Sequence, residues 1–152
     1  MPQPAPLRLI AGTESELVVI AAAVQDAVVK TVDIRYLRRD RRFSLEINRF
    51  HWETGGKRGP WFRSRSILAV DNVGSVRSRG VNASASGGVL LLLTASFAPT
   101  PSETGDPAGV LRLVFADGAE IEIDVECIDV TLYDTDRIWP ARRRPDHSRD
   151  AT

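Results

Sequence analysis

Cysteine is almost absent. The single Cys127 excludes an internal disulfide and any cysteine-cluster zinc site. Histidine is nearly as scarce, and His51 and His147 alone cannot furnish a usual metal centre. Long apolar runs are missing too. Leu17 to Val24 is the longest, far below the roughly 20 residues a membrane-spanning helix needs. The N-terminus, Met1-Pro2-Gln3-Pro4-Ala5-Pro6, has neither a basic nor an apolar stretch of the kind that makes a signal peptide, so a cytoplasmic location is expected. Net charge is zero, which removes any global field toward nucleic acid or membrane. The sequence contains no GxSxG, HExxH or GxGxxG, and Thr54-Gly55-Gly56-Lys57 lacks the spacing and the following hydroxyl of a phosphate-binding loop. These gaps point away from an enzyme and imply no cofactor.

What is there is 152 residues with 43% hydrophobic and 26% charged content, enough for one domain with a real core. Thr13 reads as a helix N-cap, with Glu16 completing a capping box. Behind it Leu17, Ile20, Ala21, Val24 and Val28 recur at helical spacing, which predicts a helix over 14–27. The period then falls to two. Val32, Ile34 and Tyr36, then Phe43, Leu45 and Ile47, form a hairpin whose tip is Arg38 to Arg41, or Arg39-Asp40 alone. The apolar parity next moves to Phe50 and Trp52, which predicts a bulge near Asn48-Arg49 and places His51 toward solvent.

Leu7 to Ile10 reads as a short strand. Further strands are expected over Phe62–Val70, with a kink at Asp71-Asn72, and over Val73–Ser78. After a Ser/Gly-rich loop, Asn82 to Gly88, comes the most buried-looking strand, Val89–Phe97. Leu111, Leu113 and Phe115 alternate before Asp117-Gly118, and Ile121, Ile123 and Val125 alternate after it. A three-residue loop, Ala116 to Gly118, is the length that sets Leu113 beside Ile121 and Arg112 opposite Glu122. Gly118 then needs a positive φ. Residues 127–134 fit either a bulged continuation or a short terminal helix, with β-branched content favouring a strand. The expected core includes Ile34, Leu45, Leu91, Leu93, Leu113, Phe115 and Ile123. The order of elements argues for one α+β domain over residues 7–140, a helix packed on a curved, mainly antiparallel sheet. A partly closed barrel resembling pleckstrin-homology-like domains is the alternative. Residues 1–6 and 141–152 are tails.

Charge is distributed unevenly. Residues 30–80 hold thirteen basic against five acidic residues, and residues 103–136 ten acidic against Arg112 alone. Arg38, Arg39, Arg41 and Arg42 on the hairpin tip, with Arg77 and Arg79, are the candidate anion-binding residues, for nucleic acid or a phosphorylated ligand. Two plainer readings compete. The basic residues are 18 Arg against 2 Lys, a compositional bias, and the acidic strands can neutralise the basic ones within one chain or across a dimer. The carboxylates Glu120, Glu122, Asp124 and Glu126 alternate on one strand as a solvated face. Cys127 is expected to be a structural cysteine rather than a thiolate paired with His51.

Leu7-Arg8-Leu9-Ile10, Ala23-Val24-Gln25-Asp26-Ala27, Arg42-Phe43, Asn48-Arg49-Phe50, Val76-Arg77-Ser78-Arg79-Gly80, Val125-Glu126-Cys127-Ile128 and Trp139-Pro140 resemble the landmarks of an uncharacterised small bacterial family of unknown function. The resemblance covers residues 7–147 and implies no activity, cofactor or site residue. The leading expectation is therefore a non-enzymatic binding or scaffolding module with no membrane partner, self-association being the partner its complementary charge blocks suggest. Nucleic acid is not favoured.

Overall fold

A computed structural model describes residues 3–81 and 88–145. Among them are one α-helix and nine strands: β1 (Arg8–Ala11), α1 (Glu14–Ala23), β2 (Ala27–Leu37), β3 (Arg42–Phe50), β4 (Trp61–Val70), β5 (Val73–Arg79), β6 (Val89–Pro99), β7 (Gly109–Phe115), β8 (Glu120–Val125) and β9 (Val130–Ala141). The strands make one antiparallel sheet in the order β1-β9-β4-β3-β2-β6-β7-β8-β5. It is open, with β1 and β5 at its edges, so the expected α+β fold holds and the barrel alternative does not. Phe43, Leu45 and Ile47 of β3 share one buried cluster with Leu111, Leu113 and Ile123 of β7 and β8, although β2 and β6 stand between them in the sheet. That requires the sheet to curl around its core, and Leu17, Ile20 and Ala23 of α1 fill the concave side.

The helix begins as its cap requires. Thr13 Oγ1 accepts the Glu16 N–H at 3.2 Å, and Glu16 reaches back to the Gly12 N–H at 3.1 Å. It ends four residues earlier than the periodicity predicts. Asp26 adopts φ 62°, reversing the chain, and its N–H donates to Leu92 O at 2.8 Å, which starts the β2–β6 pairing. Val24 and Val28 are spaced for a helix, yet Val28 is already in a strand. The pairing with β6 outweighs the weak local preference.

The β2–β3 hairpin has the four-residue tip, with Leu37 opposite Arg42 and Arg41 at φ 52°. The bulge expected near Asn48-Arg49 is absent. Pairing of β3 with β4 runs without a slip from Phe43↔Val70 to Phe50↔Arg63. Strict alternation therefore carries Phe43, Leu45, Ile47 and then Arg49 inward. His51 follows on the same side and is 1% exposed, not solvent-facing. Phe50 is buried on the other face, where Trp52 stacks edge-on at 4.7 Å and the Arg63 guanidinium lies 5.7 Å from its ring centroid.

The β7–β8 hairpin has the expected register, Leu113↔Ile121, Leu111↔Ile123 and Arg112↔Glu122. Ala116–Gly118 is a single 3-10 turn with Gly118 at φ 81°. In β6 the inward residue is Leu92. Leu93 is 36% exposed and Leu91 half-buried, because a register shift between Leu92 and Thr94 against β7 inverts the parity. So Leu91 and Leu93 leave the expected core, Ile34 is half-buried, and Leu45, Leu113, Phe115 and Ile123 are buried as expected. Residues 130–134 are in a strand, as the β-branched content favours, but that strand is β9 and not a bulged continuation of β8. The chain bends after Val125, and β9 crosses to pair with β4 and β1. The Ser/Gly-rich loop at 82–87 and the tail beyond 145, with His147, lie outside the described residues.

Candidate functional site

Four of the six arginines singled out from the sequence carry a carboxylate partner. Arg41 pairs with Glu126 at 2.7 Å, Arg42 with Asp71 at 2.8 Å, Arg77 with Glu122 at 3.0 Å and also with Asp124, and Arg79 with Glu120 at 3.0 Å. Arg112 adds a second partner to Glu120. Hydrogen bonding to Asp124 and then Glu122 raises the Arg77 pKa, while hydrogen bonding to Arg112 lowers Glu120 and to Arg77 lowers Asp124. The basic and acidic blocks thus meet as adjacent strands, β5 against β8, which is the intramolecular neutralisation the sequence allowed. Among the described residues, Arg38 and Arg39 alone of the six have no ion-pair partner. Arg38 lies 5.7 Å from the Tyr36 ring centroid.

A second constellation lies at the other end of the core. Arg49 (β3), Ser64 and Ser66 (β4) and Asp134 (β9) occupy inward positions in adjacent strands, below the apolar layer of Ile47, Leu68 and Leu132. Asp134 Oδ1 accepts from Arg49 Nε at 2.7 Å, Ser66 at 2.7 Å and Ser64 at 3.0 Å. Its Oδ2 accepts from Arg49 Nη2 and the Leu7 N–H, each at 2.9 Å. Arg49 also donates to both Glu53 oxygens, at 3.1 and 2.8 Å, and faces the carbonyls of Ala23 and Phe50. All five guanidinium N–H groups are engaged. Arg49 is 0% exposed and Glu53 37% exposed, so Glu53 is the outward end of the network.

Burial works against the Asp134 carboxylate, but hydrogen bonds from Arg49, Ser66 and the Leu7 N–H outweigh it and hold its pKa far below the usual range. Arg49 stays charged because Asp134 and Glu53 outweigh its own desolvation. Desolvation, then the neighbouring Arg49 charge, pushes His51 below its ordinary value, so the imidazole is neutral at pH 7. The cluster therefore carries one excess negative charge, which surfaces at Glu53.

His51 Nε2 lies 2.9 Å from Ser64 Oγ, the contact of a base with a nucleophile. Two features make it structural. Ser64 is 0% exposed, so no substrate carbonyl reaches its oxygen. Ser64 Oγ also meets Asp134 Oδ1 at 3.0 Å and Ser66 Oγ at 2.9 Å, so its one proton is shared among a carboxylate, a hydroxyl and the imidazole rather than dedicated to His51. Cys127, half-buried in the bend after β8, is not among the partners of His51. Among the described residues, no three His, Cys, Asp or Glu side chains converge as a metal set.

Above this network lies a groove of about 310 Å³, lined by Leu7 and Leu9 of β1, Val19, Ala22 and Ala23 of α1, and Trp52 and Glu53. Its position follows from the early end of α1. The chain turns at Asp26 and Trp52 closes the gap, its indole N–H donating to Gln25 O at 2.8 Å. Val18 and Val19 are exposed on the same helix, so α1 is apolar on its outward face as well as its inward one. Sequence reasoning missed the network. The signal was present in the unbroken alternation of Phe43, Leu45, Ile47, Arg49 and His51, but the apolar Phe50 and Trp52 masked it.

Among the described residues no helix is long and apolar enough to cross a membrane. Residues 7–147 match the profile of a family described as "Protein of unknown function (DUF2948)". No curated protein and no solved structure matches the chain.

Proposed function

The chain belongs to the DUF2948 family, whose description carries no activity, and from the site itself we propose a non-enzymatic module that holds an apolar segment of a partner polypeptide in the α1–β1–Trp52 groove. The groove's composition carries this reading: Leu7, Leu9, Val19, Ala22, Ala23 and Trp52 leave Glu53 as the one charged side chain lining it. A volume of about 310 Å³ is at the small end of ligand sites, and suits two or three aliphatic side chains rather than a nucleotide or flavin. The chemistry-bearing side chains beneath the groove are consumed by one another, which favours binding over catalysis. A bacterial cytoplasm goes with this reading, since a free, half-exposed Cys127 stays reduced there.

The test is titration of the full chain with an uncharged, end-blocked peptide, acetyl-Leu-Leu-Ala-Gln-amide, followed by amide and indole NMR. Shifts should concentrate at Trp52 Nε1–H, Leu7, Leu9 and Ala22, and Ala22→Phe, which fills the groove, should abolish them. Absence of shifts at millimolar peptide, or shifts centred elsewhere, defeats the reading. So does sedimentation showing that a second copy of the chain covers the groove.

A further inference from the structure

We propose that the cleft between the second half of β2 and β5 receives an extended acidic segment of a partner polypeptide, which adds as a strand to the open edge of Ile34–Leu37 and sets a carboxylate against Arg38. The cleft shares no lining residue with the α1–β1–Trp52 groove, and the two sites stand or fall independently.

The open edge follows from a change of partners along β2. Val28 and Val29 pair with β3 on one side, and Ala27 to Lys30 pair with β6 on the other. The Thr31 N–H donates to Gly88 O at 2.9 Å, where the contact with β6 ends. Between Val29 and Ile34 the β2–β3 register slips, five positions of β2 standing against two of β3. Beyond this bulge Ile34 to Leu37 keep β3 as a neighbour, and among the described residues no strand pairs with their other side. Alternate N–H and C=O groups of such an edge point outward without ladder partners.

The curl of the sheet brings β5 to the opposite wall. Tyr36 Oη donates to Gly74 O at 3.3 Å, and the Val73 N–H donates to Arg41 O at 3.0 Å. A cleft of about 630 Å³ remains, lined by Tyr36, Arg38, Arg41 and Val73 to Val76. Ile34, Tyr36 and Val76 pack against the core yet stay half-buried, as a floor does when no strand covers it. The β5 wall is the poorer edge, because Gly74 O takes the tyrosine hydroxyl and Val73 O takes Arg41 Nε at 3.3 Å. An extended main chain on β2 is what this arrangement fits.

The charge comes from a balance over the walls and the tip. Arg38 and Arg41 line the cleft, and no carboxylate does. On the β5–β8 wall Glu122 and Asp124 share Arg77, while Arg79 and Arg112 share Glu120, so that wall is neutral. Arg41 is answered by Glu126 and Arg42 by Asp71. Asp40 then stands alone against Arg35, Arg38 and Arg39, which have no ion-pair partner among the described residues. The excess is positive, and Arg38 is the member of it that lines the cleft, its guanidinium 5.7 Å from the Tyr36 ring centroid.

The experiment titrates the full chain with end-blocked Thr-Val-Thr-Val-Glu, Thr-Val-Thr-Val-Gln and Thr-Val-Thr-Val-Lys at about 50 mM salt, read by amide NMR and hydrogen exchange. In the free chain alternate amides of Ile34 to Leu37 should exchange fast, and the Glu peptide should protect them. It should bind about two- to fivefold more tightly than the Gln peptide, the worth of one exposed ion pair, and the Lys peptide more weakly than either. Arg38→Ala should erase the Glu-over-Gln preference. Methylating the peptide's amide nitrogens, which leaves its side chains intact, should abolish binding. Val76→Trp, which fills the cleft, should do the same, and Ala22→Phe should not. Where Val76→Trp fails to fold, the methylated peptide decides. Slow exchange of every Ile34–Leu37 amide in the free chain shows the edge already covered, by this chain or by a second copy, and overturns the proposal. So does absence of binding at millimolar peptide, or undiminished binding of the methylated peptide. Equal binding of the Glu and Gln peptides overturns the choice of an acidic segment.

Discussion

Five N–H groups leave the Arg49 guanidinium, and each meets a protein oxygen. A buried pair so satisfied contributes little net stability over an apolar equivalent, yet removing one partner strands the other charge. Asp134→Asn should therefore cost about 3–5 kcal/mol in urea unfolding, whereas exposed Arg77→Ala should cost under about 1 kcal/mol. A loss below 1 kcal/mol for Asp134→Asn would mean the Arg49 charge finds relief elsewhere. His51 adds a pH dependence with a definite sign. Its folded pKa lies below the ordinary 6.5, so the unfolded chain takes up the proton first. The stability it contributes is complete above about 6.5 and is lost as pH falls toward the lower folded value. Melting temperature should decline from pH 7 to pH 5, and His51→Gln should flatten that stretch of the profile. Gly118 is the other residue with a clear cost. At φ 81° with open space around it, valine would meet strain rather than a clash, and Gly118→Val should lower stability by more than about 1 kcal/mol.

At the scale of elements, edges and tips decide what the surface offers. The β5 edge is studded with Arg77 and Arg79, each tied to a carboxylate of β8, which blunts it against pairing with another chain. The β2–β3 tip is different, because Arg38 and Arg39 have no carboxylate partner among the described residues. We propose that any nucleic-acid binding by this protein runs through that tip and is electrostatic. Affinity for a DNA fragment should be no tighter than about 10⁻⁶ M and should vanish near 200 mM salt. Arg38→Ala with Arg39→Ala should weaken it, and Arg77→Ala should not. Sequence-selective binding that survives such salt would contradict this. The elements themselves were partly legible. The capping box located the start of α1 and the parity of Leu111 to Ile123 set the hairpin register. The end of α1 was not legible, because Asp26 turns the chain only when Leu92 is there to receive its N–H.

For the whole molecule, the charge halves that look like a dipole in the sequence close on one another. Asp134 is held low against its own burial by Arg49, Glu120 through Arg112, and Asp124 through Arg77. Carboxylates with depressed pKa values contribute stability that is present above about pH 4 and is lost as pH falls through their folded values. Acid unfolding should thus show a second, steeper loss below the His51 step, and Asp134→Asn should remove most of it. If the loss below pH 4 persists in that variant, the outer pairs carry it instead. The sequence by itself determined the helix start, the antiparallel plan and the β7–β8 hairpin register, because caps, parity and turn residues act within a few positions of one another. Only the tertiary structure decided which face Arg49 and His51 take, that Leu92 rather than Leu93 points inward, and where β9 goes. Those outcomes depend on partners 13 or more residues away: Ser64 for His51, and Asp134, at 85 residues' remove, for Arg49. The groove belongs to that second class, since Leu7, Val19 and Trp52 come from separate segments and share a surface only after the sheet has curled around its core.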